Sequence, residues 1–131
     1  MQDTEANMNT AITTALNYID SKLPVKAGLP AGGKRVFIGE YGWEQANFGA
    51  AIQDQRSRWL LKSALNWGCP YILYWEMFDN EGIGYHLIDE YNVKQPIYFT
   101  HQNYYTNCRN ALNEMNSTPT FDAVTPTAIS L

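Results

Sequence analysis

The sequence predicts an α/β fold with its elements in the order helix, strand, helix, strand, helix and with parallel strands. Two observations carry this expectation. Short apolar runs, "RVFIGEYG" and "CPYILYWEMF", are separated by an amphipathic stretch long enough for a crossover helix. Both runs are apolar on both faces, as strands covered by helices are. Two strands make neither a closed barrel nor a stable open sheet, so the strand count reads as part of a larger α/β fold.

Each element has its own signals. "DTEANMNTAITTALNYIDSKLP" places Ala11, Ala15, Leu16 and Ile19 at three-to-four spacing, and Pro24 closes the helix. "VKAGLPAGGK" is a Gly/Pro-rich connector. "RVFIGEYG" is rich in strand formers and too brief for a helix. After the loop "WEQANFGA", a helix is expected over 51–67 with Ile52, Trp59, Leu60, Ala64 and Trp67 buried. Gln53, Asp54, Arg56, Arg58 and Lys62 cover its other side, and Gly68 ends it. "CPYILYWEMF" is the second strand, bounded by Pro70 and by the turn "DNEGIG". A last helix is expected from Pro96 or Tyr98 to Met115. Residues 1–115 thus form the folded segment, and 116–131 is a Thr/Pro-rich tail or linker. That tail carries the acceptor-type triplet Asn116-Ser117-Thr118, which matters only in a protein secreted by a eukaryote.

The totals narrow the function classes. A chain of 131 residues, 45% hydrophobic and 17% charged, is long enough for one core and too apolar for disorder. Its net charge of −4 offers no basic field to a polyanion, so nucleic acid is not an expected partner. No apolar run is long enough to span a bilayer, and the first residues lack a signal-peptide pattern. Cys69 and Cys108 allow one bridge or two buried thiols. Nine Tyr and four Trp are either core material or faces for stacking on sugars.

In parallel α/β folds the chemistry gathers at the C-terminal strand ends, here "IGEYGW" and "LYWEMFDN". Alternation puts Val36, Ile38 and Glu40 on one face of the first strand. It puts Tyr71, Leu73 and Trp75 on one face of the second. Glu40 is then either a solvated strand end or a carboxylate delivered beside the Trp75 indole. The second arrangement suits glycoside chemistry, in which a carboxylate meets the anomeric carbon and an aromatic ring underlies the sugar.

"VFIGEYG", a helix of about seventeen residues, "PYILYWEMF" and "GYHLIDEYNVKQPIYFTHQNYY" together resemble the last quarter of a retaining (β/α)8 glycoside hydrolase. The resemblance is to glycoside hydrolase family 5 and its cellulase-like clan, and covers about residues 35–112. It implies a partial (β/α)8 TIM barrel in which Glu40, in an (I/V)-x-E-(F/Y)-G motif, is the catalytic nucleophile. Trp75 maps to the sugar-binding floor. Leu87, Ile88, Asp89, Lys94, Pro96 and Tyr98 match the closing segment. The implied activity is cleavage of β-linked oligo- or polysaccharides with retention, outside the cytoplasm in the extracellular space or periplasm. No cofactor is implied, because both catalytic groups are carboxyls.

The acid/base residue of that family lies on a fourth strand that has no counterpart here, so the sequence reads as a fragment or subunit active only when the barrel is complete, with another chain or a self-associated copy as one source of the rest. Glu44, Glu76, Asp79 and Glu81 are the nearby carboxyls. Glu76 alternates away from Trp75, while Asp79 and Glu81 lie in a loop over the expected site. Trp43 is either a second sugar platform or loop packing, and His86 either lines the cleft or is solvated. Cys69, His86, His101 and Cys108 lack zinc-type spacing. A non-catalytic carbohydrate-binding or structural remnant is the alternative reading.

Overall fold

The structure, a computed structural model, describes residues 3–25, 27–28 and 33–117. The 118–131 part of the expected tail lies outside the described residues. Helix α1 spans Glu5–Lys22, strand β1 Ile38–Tyr41, the short helix α2 Gln45–Phe48 and helix α3 Ala50–Trp67. Strand β2 (Ile72–Tyr74) and helix α4 (Pro96–Ser117) complete the order.

Local chemistry sets these limits. The Thr4 hydroxyl accepts from the Asn7 amide at 3.2 Å and starts α1. Gly68 ends α3 at φ 94°, a left-handed conformation that costs a residue with a Cβ far more than glycine. The proline at the head of α4 fits a first turn whose N–H would go unused.

The partial (β/α)8 barrel expected from the sequence is not what forms. Helices hold 56% of the described residues and strands together with isolated bridges 9%, and among the described residues the sheet consists of β1 and β2. The strands pair in parallel, Ile38 with Ile72 and Tyr41 with Tyr74. The two apolar runs are longer than the strands they yield, because beyond Tyr41 and Tyr74 the chain bonds to its own loops. There the Leu87 N–H donates to the Glu76 and Met77 carbonyls and the Glu76 N–H donates to the Tyr85 carbonyl, with isolated bridges from Ile88 to Phe78 and to Lys94.

Nor, among the described residues, do helices cover both faces. On the helical side, Leu16, Val36, Ala64 and Cys69 form one cluster and Tyr41, Leu60 and Leu61 another. Ile12, Ile38 and Ile72 pack against both. Burying each large aliphatic side chain contributes about 1.5–3 kcal/mol. The other side leaves Phe37, Tyr71, Leu73 and Met77 half or more exposed.

Alternation also fails in β1. The register shifts between Ile38 and Tyr41, so Ile38 and Tyr41 both turn toward the helices while Gly39 and Glu40 are exposed. Glu40 therefore parts from Val36 and Ile38 instead of sharing their face. In α3 the buried residues are Gln53, Ser57, Leu60, Leu61, Ser63 and Ala64, whereas Ile52 is exposed. Gln53, expected on the solvated side, is fully buried. Both cysteines are free. Among the described residues no helix is long and apolar enough to cross a membrane.

Candidate functional site

The C-terminal ends of β1 and β2 are joined by backbone: the Trp75 N–H donates to the Tyr41 carbonyl at 2.8 Å. Tyr41 and Tyr74 turn into the helical core, which leaves the residues beside them, Glu40 and Trp75, on the open side. Glu40 is exposed, and Trp75 keeps 39% of its surface accessible. Gly42 makes this junction possible. A Cβ there would lie 2.4 Å from the Trp75 carbonyl oxygen and 3.0 Å from the Tyr85 ring. The Trp75–Glu76 peptide bond is cis.

Behind the junction the tyrosines are locked. Nδ1 of His101 lies 2.9 Å from the Ile97 carbonyl, which can only accept, so that nitrogen carries the proton. Nε2 then accepts from the Tyr41 hydroxyl at 2.9 Å. Burial holds His101 below the usual imidazole range and pushes the Tyr41 and Tyr74 phenols well above theirs. The Tyr74 hydroxyl donates to the Tyr85 carbonyl at 2.8 Å, tying α4's neighbour to the loop after β2.

That loop is organised by its own acids. Glu76 is buried and accepts from the Asn80 backbone at 3.1 Å and side-chain amide at 2.8 Å. Asp79 accepts from the amides of Gly82 (3.0 Å) and Gly84 (3.3 Å). Burial alone would raise the Asp79 carboxyl, but these bonds and nearby His86 outweigh it and hold it below the usual range. His86 is buried; its Nδ1 lies 3.5 Å from Asp79 Oδ2, and that nitrogen makes no hydrogen bond among the described residues. Further on, Asp89 accepts from the Tyr91 and Val93 amides and from Gln95, shaping the turn that leads into α4. The Lys94 ammonium sits over the Tyr98 ring. Much of the closing-segment pattern thus has a loop-building task.

Of the expected site residues, the structure sets Glu40 and Trp75 on neighbouring strand ends and Asp79 and His86 together in the following loop. Trp43 lies half-buried against the Tyr41–Leu60–Leu61 cluster, its ring edge-on to Tyr41 at 6.3 Å. Glu44 receives the Asn47 side-chain amide, and Glu81 is exposed. Sequence reading missed Gln53. Its Nε2 donates to the Trp43 carbonyl at 2.7 Å and the Gly84 carbonyl at 3.0 Å, while Oε1 accepts from Gln45 at 3.0 Å. The signal was present in the spacing 53, 57, 60, 61, 64, a helical stripe with polar members.

A groove of about 450 Å³ between α1 and α3, lined by Glu5, Ala6, Asn9, Lys62, Ser63 and Asn66, contains none of these residues. Among the described residues no three His, Cys, Asp or Glu side chains converge as a metal site would require. The chain matches no family model, no curated protein and no solved structure.

Proposed function

We propose that the chain carries the nucleophile and the sugar floor of a retaining glycoside hydrolase that acts on β-linked glycans. Glu40 is the nucleophile and Trp75 the floor. The observation that carries this reading is their placement at adjacent ends of paired parallel strands, both accessible and held by the Trp75-to-Tyr41 backbone bond. In the first step a Glu40 oxygen attacks the anomeric carbon, and the bond to the leaving oxygen breaks. Water then releases the sugar with its original configuration. The indole packs against the apolar face of the ring.

Retention requires a second carboxyl about 5–5.5 Å from the first as acid/base. Glu76, Asp79 and Glu44 are each engaged in their own loops. Glu81, exposed in the same loop, is not engaged in this way, so the acid/base is assigned either to Glu81 or to polypeptide that supplies a carboxyl from elsewhere. The same observation favours a second reading, a carbohydrate-binding surface that frames a sugar without cleaving it.

Activated 2-deoxy-2-fluoro-β-glycosides with a dinitrophenolate leaving group separate the two. Such a leaving group departs without protonation, so the missing acid is not needed for the first step. The hydrolase reading expects a mass gain mapped to the peptide around Glu40, abolished by Glu40→Gln. Trp75→Ala is expected to weaken labelling by about 10-fold, on the scale of one lost stacking contact. Sugar binding without an adduct, unchanged in Glu40→Gln, would favour the binding surface.

A further inference from the structure

We infer that Gln53 is a positioning residue that fixes the spacing of Glu40 and Trp75 by tying the loops after β1 and β2 to α3. It rests on the glycoside reading for the importance of those two side chains, and on geometry alone for the coupling.

Gln53 occupies a fully buried position in a helix whose other inward residues include Leu60, Leu61 and Ala64. An amide placed there is costly unless its hydrogen bonds are made. Three are made, and the two donated ones go to main-chain carbonyls of different segments. Trp43 follows Glu40 by three residues, and Gly84 lies in the loop that Trp75 opens. The amide therefore joins two stretches of backbone, one three residues after Glu40 and the other in the loop nine residues after Trp75. Because both carbonyls can only accept, the amide nitrogen must face them, and Oε1 is left for Gln45.

The surroundings make this clamp tight. The Gly84 carbonyl also receives the Gln45 N–H at 2.9 Å, and Ala46 donates to the Ile83 carbonyl. Gly84 adopts φ 88°, and a Cβ on it would come within 3.0 Å of the Gln45 Cβ. Asp79 holds the Gly84 amide from the other direction. A single helical side chain thus sits where the two loops touch.

The test compares wild type, Gln53→Met, Gln45→Ala and Leu16→Ala. Met fills the space of Gln53 but donates no hydrogen bond. The readouts are hydrogen exchange at the Gln45 and Ala46 amides, NMR shifts of the Glu40 amide and Trp75 indole, the urea midpoint, and the rate of fluoroglycoside labelling. Gln53→Met is expected to speed exchange at Gln45 by about 10-fold and to move the Glu40 and Trp75 signals. It is also expected to slow labelling by about 100-fold, the scale of an ångström-level misplacement. Leu16→Ala destabilises the other core cluster and is expected to leave those signals in place. Should Gln53→Met not fold, Gln45→Ala, which removes only the Oε1 partner, is expected to shift the same signals to a smaller extent. Wild-type exchange and unshifted Glu40 and Trp75 signals in a folded variant would overturn the inference. If no fluoroglycoside labels the wild type, the hydrolase reading fails, while exchange and shifts still decide the coupling.

Discussion

The two sides of the β1–β2 sheet are built from the same short strands and yet serve opposite purposes. Toward the helices, Val36, Ile38, Tyr41, Ile72 and Tyr74 interlock with α1 and α3, and His101 of α4 stacks on Tyr41 and meets Tyr74 edge-on. Away from them, Phe37, Tyr71, Leu73 and Met77 remain accessible beside Glu40 and Trp75. The helical side contributes the stability. The open side contributes little, which leaves its residues free for contact with a ligand or another surface. Side-chain chemistry alone does not separate the two, because both sides are apolar; what differs is how many neighbours each side chain meets.

Mutations that treat the two sides alike should therefore give unlike results. Ile97→Ala, which empties a fully buried position of α4, is expected to cost about 3 kcal/mol in urea unfolding. A cost below about 1 kcal/mol would break the comparison. Gly42→Ala forces a Cβ against the Trp75 carbonyl, so about 2 kcal/mol and a shift in Trp75 emission are expected. Leu73→Ser, on the open side, is expected to change stability by no more than about 0.5 kcal/mol.

Acid sharpens the contrast. His101 is neutral when folded and its pKa lies below the ordinary 6.5, so the unfolded chain binds its proton more readily. Its share of stability is complete above pH 6.5 and is lost as pH falls through the depressed value. Asp79, also lowered, keeps its share until pH drops below the ordinary 3.8. Unfolding free energy measured between pH 7 and pH 4 is expected to fall in wild type and to fall less in His101→Gln. An equal slope in both would remove His101 from the account.

Much of the helical framework was legible in the sequence. Three-to-four spacing and Pro24 placed α1, although of the four residues that marked it only Leu16 is buried; Gly68 placed the end of α3, and α4 begins at Pro96, one of the two expected starts, and ends at Ser117, two residues beyond the expected Met115. The strands were found, but not their extent or their surroundings. Apolar character marks a run as extended, whereas pairing depends on which partner the backbone meets. After Tyr74 that partner is the loop around Tyr85 and Leu87. The barrel expectation failed on this point. The position of Glu40 was misread because a register shift leaves no trace in a pattern that assumes strict alternation. Helix α2 hid inside "WEQANFGA", too short to show a period. Gln53 was assigned to solvent by residue type, although its spacing put it inward; a buried amide becomes legible only once its carbonyl partners are known.

The open side also governs how the isolated chain behaves in a tube. Two strand edges that no described residue pairs, next to exposed Phe37, Tyr71 and Leu73, are templates for association between molecules. The opposing force is charge repulsion from a net charge of only −4, which weakens as carboxylates take up protons. Acidification thus loosens the fold at His101 while removing the repulsion that keeps molecules apart. Solubility is expected to fail on the acidic side before secondary structure does, and the practical window for handling this chain lies above neutrality at low concentration.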